Sequence, residues 1–456
     1  MGINGLNPLI KRFAPDAFFT MPIPKLSGKR IAIDANNWMY TNMATARKKV
    51  INRTDIVKGE PNIIEIRREW FLATINFILG WLYYNVTPVF VFDGQHPPEK
   101  DLTKAKRRDE RNARKTKIDA LYAQIRNDPE LVSGSLIEEL RKELRNYNYI
   151  LPEDFELFRT VLCGIGIPCL QANGDGEQLC SMLCVEGKVA AVFSADTDNL
   201  VYGCPLVINK FSDTVSYDEY GNRIGNVECV RLDRVLSGLN IPHSVFVDLC
   251  IMSGCDYNKN IPGYAAIKSY TLLQKWGSID ELPRNLNVEC LQHVRCREIF
   301  KYVPSQSIIV TEEQRLPLSE DIGFIGIPET PDPRIQIAES PIEDLGVEEI
   351  RPQTPEPIGL LEINKSAITN ARDYLEMVGV GGQIEKIITS YHRLTSPNDG
   401  TVEDLGLQPG PRYVPPPQRM TLQIATRTPS TPIALPIRFL TLDILPQPAR
   451  QESEAQ

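Results

Sequence analysis

The chain has 456 residues, about three times the ~150 of a typical domain, with 42 % hydrophobic and 24 % charged residues. That balance suits a globular enzyme and excludes a wholly disordered, collagenous or coiled-coil protein. The net charge of −8 belongs to the C-terminal third, since residues 1–300 balance at +1 and residues 301–456 at −9. A low overall pI therefore does not exclude a nucleic-acid partner, and local patches decide.

Residues 30–33 form a short apolar run ending at Asp34. Helical periodicity covers residues 63–84, and no charged residue occurs from Trp70 to Phe92. Asn76, Gly80, Asn85 and Pro88 interrupt that stretch, so it reads as a buried helix and a buried strand, not a membrane span. The strand, residues 89–92, ends at Asp93. From Lys100 to Lys117, nine of eighteen residues are Lys or Arg. Lys100, Lys104, Arg107, Arg111 and Arg114 recur at the spacing of one helix face. Surface helices usually mix signs, so an all-basic stripe points to an anionic partner.

A second helical pattern covers residues 153–163, and residues 189–195 form another apolar run, ending at Asp196. Strands alternating with helices predict a mostly parallel α/β sheet, whose ligands lie beyond the carboxyl ends of the strands. Three strand-terminal aspartates then converge on one edge. Further on, Gly263 in a Pro-Gly turn precedes an amphipathic run over 265–276, which reads as two helices joined by a tight turn, with Lys268 near a helix N-terminus. Residues 304–362 are proline-rich, and 311–350 carry a net −9. Helical periodicity returns at 371–394, and residues 397–456 are again proline-rich.

Asp34, Asp93, Asp175, Glu177, Asp196, Asp198 and Asp256 are the acids that such a chain path can gather. Buried together they repel, and cations offset that repulsion. All-oxygen ligation favours Mg²⁺, with Mn²⁺ as a substitute, over zinc. The four histidines show no zinc spacing. Two such ions clamp the attacking and leaving oxygens of a phosphodiester. The ten cysteines contain no C-x-x-C pair, and the chain opens without a signal peptide. Both features predict reduced thiols in a nuclear or cytoplasmic protein with no membrane partner.

The start Met1-Gly-Ile-Asn-Gly-Leu6, the Ile31-Ala-Ile-Asp34 and Val89-Phe-Val-Phe-Asp-Gly94 strands and the Gly254-Cys-Asp-Tyr257 segment resemble a flap endonuclease of the XPG nuclease family. The likeness runs from residue 1 to about 302. It implies a PIN-like nuclease domain with a helical arch, cutting branched or flapped DNA with a free 5′ strand in replication, repair or recombination. By that resemblance the seven acids bind two Mg²⁺ ions, and Lys100 and Arg107 form the basic pair at the foot of the arch. Tyr40 matches an aromatic that stacks on an unpaired base, and Gly2 a glycine beside the active site. Lys104, Arg111, Arg114, Gly263 and Lys268 are expected DNA contacts.

The implied layout is a nuclease region at 1–94, the arch at 95–152 and a second nuclease region at 153–302, with a helix–two-turn–helix near 250–276. An acidic linker at 303–362, a closing helix at 363–396 and a tail at 397–456 follow. Asp175 stands where the family usually has glutamate, and Gly263-Tyr-Ala265 lacks the second glycine of the family's Gly-x-Gly. No sliding-clamp box is recognisable, and a monomer is expected. The insertion and tail mark a divergent member, a viral one being one reading. A four-way-junction resolvase of the same family and a non-catalytic branched-DNA-binding protein are the alternatives, and the acids argue against the second.

Overall fold

The computed structural model describes residues 2–95, 97–127, 132–217, 221, 223–310, 375 and 412. The chain opens with α1 (Leu6–Phe13), β1 (Phe18–Pro22), β2 (Arg30–Asp34), α2 (Ala35–Arg53), α3 (Ile63–Tyr83) and β3 (Thr87–Phe92). A two-helix excursion, α4 (Asp101–Asn127) and α5 (Gly134–Asn146), precedes α6 (Pro152–Gly164), β4 (Cys169–Gln171), α7 (Gly176–Val185) and β5 (Ala191–Phe193). Then come α8 (Asp198–Val201), β6 (Leu206–Tyr217), β7 (Arg223–Arg231), α9 (Leu232–Leu239) and α10 (His243–Ser253). The last elements are α11 (Ala266–Trp276), α12 (His293–Ile299) and α13 (Ser305–Ile308).

One seven-stranded sheet runs in the order β1-β7-β6-β5-β2-β3-β4. From β6 to β4 every pair is parallel, while β7 runs antiparallel to both β6 and β1. The central parallel strands are apolar in their middle because both faces are covered; all six residues of β3 are buried. Right-handed crossovers put α2, α3 and α6 on one face and α7 on the other. On the first face Trp70 of α3 stacks on Phe158 of α6 at 5.0 Å, which accounts for the uncharged stretch as core. Asn85, at φ 60°, turns the chain from α3 into β3. Among the described residues no single helix is long and apolar enough to cross a membrane.

The chain steps outward from β2 to β3 to β4, then returns to β5 on the other side of β2. This reversal opens a crevice at the carboxyl ends of the central strands. The excursion leaves from that crevice. A separate apolar cluster joins Ile118, Leu121, Tyr122 and Ile125 of α4, Leu140 and Leu144 of α5, and Ile51 and Ile56 at the far end of α2. From there α5 runs back along α2, where Arg141 donates to Ile51 O at 2.6 Å and Asn148 to Tyr40 O at 3.0 Å.

Past α12, the expected acidic linker begins differently. Asn173 N donates to Ile308 O and Val310 N to Gln171 O, so residues 308–310 extend the β4 edge. The rest of the linker, the closing helix and the tail lie outside the described residues, apart from Leu375, buried in the main core, and Arg412, 4.8 Å from the Tyr302 ring.

Candidate active site

Six of the seven acids sit at a strand end or a helix start, and Asp256 lies in the turn that follows α10. Asp34 closes β2 and caps α2, accepting from Asn37 N at 3.0 Å and Ser194 Oγ at 3.3 Å. Asp93 follows β3, and its two oxygens accept from Asn36 Nδ2 at 2.6 Å and Gly176 N at 2.7 Å. That amide opens α7, where the positive helix end favours a carboxylate. Asp196 and Asp198 follow β5; Asp196 N donates to Ser194 Oγ at 3.1 Å, and Asp198 N donates to Asp196 Oδ1 at 3.3 Å. Asp198 Oδ1 is buried with no hydrogen-bond partner.

Two cations reach these acids from the start of the excursion. Lys100 Nζ donates to Asp175 Oδ1 at 3.0 Å, and Arg107 Nη2 donates to both oxygens of Asp256 at 3.0 and 2.9 Å. The expected single helical face begins only at Asp101, because Lys100 closes the 3₁₀ turn Pro98–Lys100. Each cation therefore meets a different acid. Among the described residues no group of three or more His, Cys, Asp or Glu side chains is arranged, as it stands, to hold a metal ion. Lys100 and Arg107 act as counter-ions instead.

Electrostatic strain is concentrated here. Burial, and after it Asp93, pushes the Asp34 carboxyl up to about 7. Burial with Asp175 raises Asp93. Burial and then Asp196 raise Glu177 and Asp198 well above the carboxylate range. Burial opposes the Lys100 ammonium, but Asp175, Glu177 and Asp93 outweigh it and hold the proton firmly.

The raised carboxyls bind protons better in the folded chain than in the unfolded one. For Asp34 the stabilisation is therefore complete below pH about 4 and is lost as pH rises through about 7. In EDTA the melting temperature is expected to fall by roughly 5 °C between pH 5 and pH 8. Added Mg²⁺ should raise it more at pH 8 than at pH 5. A flat or rising melting temperature across that window in EDTA would contradict this assignment.

Other expected site residues fall into two groups. Gly2, at φ +93°, lies against Asp196 and Thr197 so closely that any Cβ would overlap the Asp196 carboxylate. Tyr40 packs edge-on to Phe155 at 6.1 Å; burial raises its hydroxyl pKa, and Arg111, Asp93 and Arg107 also act on it. Lys104 is exposed; partial desolvation lowers its pKa, and Asp93 opposes that shift. Arg114, by contrast, is held inside the excursion by Glu143 at 2.6 Å. Gly263 (φ +82°) lies in the turn between α10 and α11, and Lys268, 5.9 Å from the Tyr264 ring, is in the first turn of α11.

Sequence reasoning missed Asn36, Ser194 and Tyr257 as parts of the site. For the first two a signal was present: each lies two residues from an acid at a strand-to-helix junction. Tyr257 donates to Asp175 Oδ2 at 2.7 Å across 82 residues, and only the topology brings them together.

The XPG N-terminal domain matches residues 1–114 and the XPG I-region residues 166–256. Together these segments contain all seven acids and the basic stripe. Flap endonuclease 1 of Cryptosporidium muris is 32 % identical over 310 residues, covering 66 % of this chain and 62 % of that protein. The chain thus spans somewhat less than two thirds of that relative. The probable RAD2-like endonuclease 369L of Invertebrate iridescent virus 6 is 28 % identical over 345 residues, covering 68 % and 81 %. Flap endonuclease 1 of Entamoeba dispar is 30 % identical over 312 residues, covering 66 % of this chain and 75 % of its own length. With both XPG segments in order over the crevice, and that much of a flap endonuclease matched, the chain belongs to the XPG family of flap endonucleases.

Proposed function

We propose that the chain is a Mg²⁺-dependent, structure-specific 5′ endonuclease that hydrolyses phosphodiester bonds in branched or flapped DNA. A 5′→3′ exonuclease activity would use the same site. The reading is carried by one observation: Lys100 and Arg107 reach from the excursion onto acids at the carboxyl edge of a parallel sheet. Asp34, Asp93, Asp175, Glu177, Asp196, Asp198 and Asp256 would hold two Mg²⁺ ions. The donor set is all oxygen, and the unpartnered Asp198 Oδ1 is a buried acceptor that a hard cation satisfies. Bound there, the metal would lower the pKa of an attacking water and offset charge on the leaving oxygen.

The remaining roles follow from the side chains. Lys100 and Arg107 exchange a carboxylate for the scissile phosphate, drawing it to the acids and stabilising charge on its oxygens. Tyr40 offers a face for the unpaired base. Lys104 and Arg111 hold phosphates of the 5′ strand, while Arg114 braces the arch through Glu143. Gly263, Lys268 and the N-terminus of α11 take a phosphate of the duplex.

Purified protein with labelled 5′-flap, bubble, four-way-junction and single-strand DNA, in Mg²⁺ or EDTA, tests this. Cleavage at the flap base in Mg²⁺ alone is expected. Preference for the junction would replace flap specificity with resolvase activity, and no cleavage of any branched DNA would overturn the nuclease reading.

A further inference from the structure

Asp175 occupies the position before α7, yet its side chain makes no helix cap. Its oxygens face elsewhere: Oδ1 accepts from Lys100 at 3.0 Å and Oδ2 from the Tyr257 hydroxyl at 2.7 Å. The Tyr257 hydroxyl lies 3.1 Å from that of Tyr202, and both tyrosines are buried, at 3 % and 1 % exposure. A phenol carries one proton, and an ionised carboxylate only accepts. Tyr257 therefore donates to Asp175, and Tyr202 donates to Tyr257. The Tyr257 ring also lies 5.7 Å from Lys100 Nζ, so one side chain touches both members of the Lys100–Asp175 pair.

We propose that Tyr257, backed by Tyr202, is a positioning residue that keeps Asp175 aimed into the crevice when Lys100 moves from Asp175 to a DNA phosphate. The phosphate half of this rests on the nuclease reading above. When Lys100 leaves, Asp175 loses one of its two partners, and the charge-assisted phenol bond is the one that remains. A packing role alone would be different. Both rings pack on Phe300, at 5.6 and 5.2 Å, and phenylalanine at either position would preserve that.

Full-length Tyr257→Phe, Tyr202→Phe and the double variant separate the two. The first readout needs no cleavage: Mn²⁺ titrated into DNA-free protein by calorimetry. Tyr257→Phe is expected to weaken Mn²⁺ about tenfold, in keeping with a lost hydrogen bond to a charged group. Tyr202→Phe should weaken it about threefold, as loss of a neutral bond one step removed. Because Tyr202 acts only through Tyr257, the double variant should be no weaker than Tyr257→Phe. Single-turnover flap cleavage should rank the variants in the same order, with unchanged DNA affinity.

Mn²⁺ affinities within twofold of the parent in both single variants, or additive losses in the double, would overturn the proposal. So would a parent protein that binds no Mn²⁺. The expected Mn²⁺ ranking with no cleavage of branched DNA by the parent would support the positioning role and defeat the nuclease reading.

Discussion

Asp93→Asn and Asp196→Asn are each expected to slow single-turnover flap cleavage in Mg²⁺ by at least about a hundredfold, the scale of a lost preorganised electrostatic partner. DNA affinity should stay within a factor of about three, because the basic stripe is untouched. Asparagine keeps the shape of aspartate and one acceptor. At Asp93 that acceptor can still take the amide of Gly176, so the start of α7 is retained. What disappears is the negative charge, which burial and Asp175 already disfavour there. The same change should therefore raise the melting temperature in EDTA while it removes activity. Mg²⁺-dependent cleavage above a few per cent in both variants would falsify the metal-binding role.

Lys100→Ala and Arg107→Ala are the second pair. Each should lower the single-turnover rate by about tenfold to a thousandfold, with little change in substrate affinity. Lys100 is expected to show the larger loss. Its side chain is 12 % exposed and sits between Asp175 and the Tyr257 ring, whereas Arg107 is 43 % exposed. Water competes for the guanidinium more than for the ammonium. Removing Lys100 also leaves a buried carboxylate without its cation, so a lower melting temperature accompanies the slower rate. The Arg107 variant lacks that complication and is the cleaner reading of chemistry. Variants that bind poorly yet cleave bound DNA at the parental rate would make both residues tethers.

Much of this crevice was legible from local pattern. Asp34, Asp93 and Asp196 each end an apolar run, and parallel strands bring such ends to one edge. The antiparallel flank was not legible. Phe18–Pro22 is two aromatics and a proline in a short stretch, and its partner, residues 226–230, lies some two hundred positions away. The roles within the basic stripe were hidden for a related reason. Helical spacing puts Arg114 on the same face as Arg107, but the stripe alone cannot show that Glu143 of α5 takes one and Asp256 the other. Periodicity reads one element at a time, while the fate of a charge is settled by the element packed against it.

The small apolar cluster at the far end of α2 has a consequence for how the molecule comes apart. Its eight buried side chains form a group separate from the core around the sheet. Free energy for opening such a unit is set by its own contacts, not by global stability. Helices α4 and α5 can thus melt locally while β2, β3 and β5 keep their hydrogen bonds. Hydrophobic volume at Ile51, Ile56 and Leu140 then tunes how often this helical pair opens, independently of the acids in the crevice.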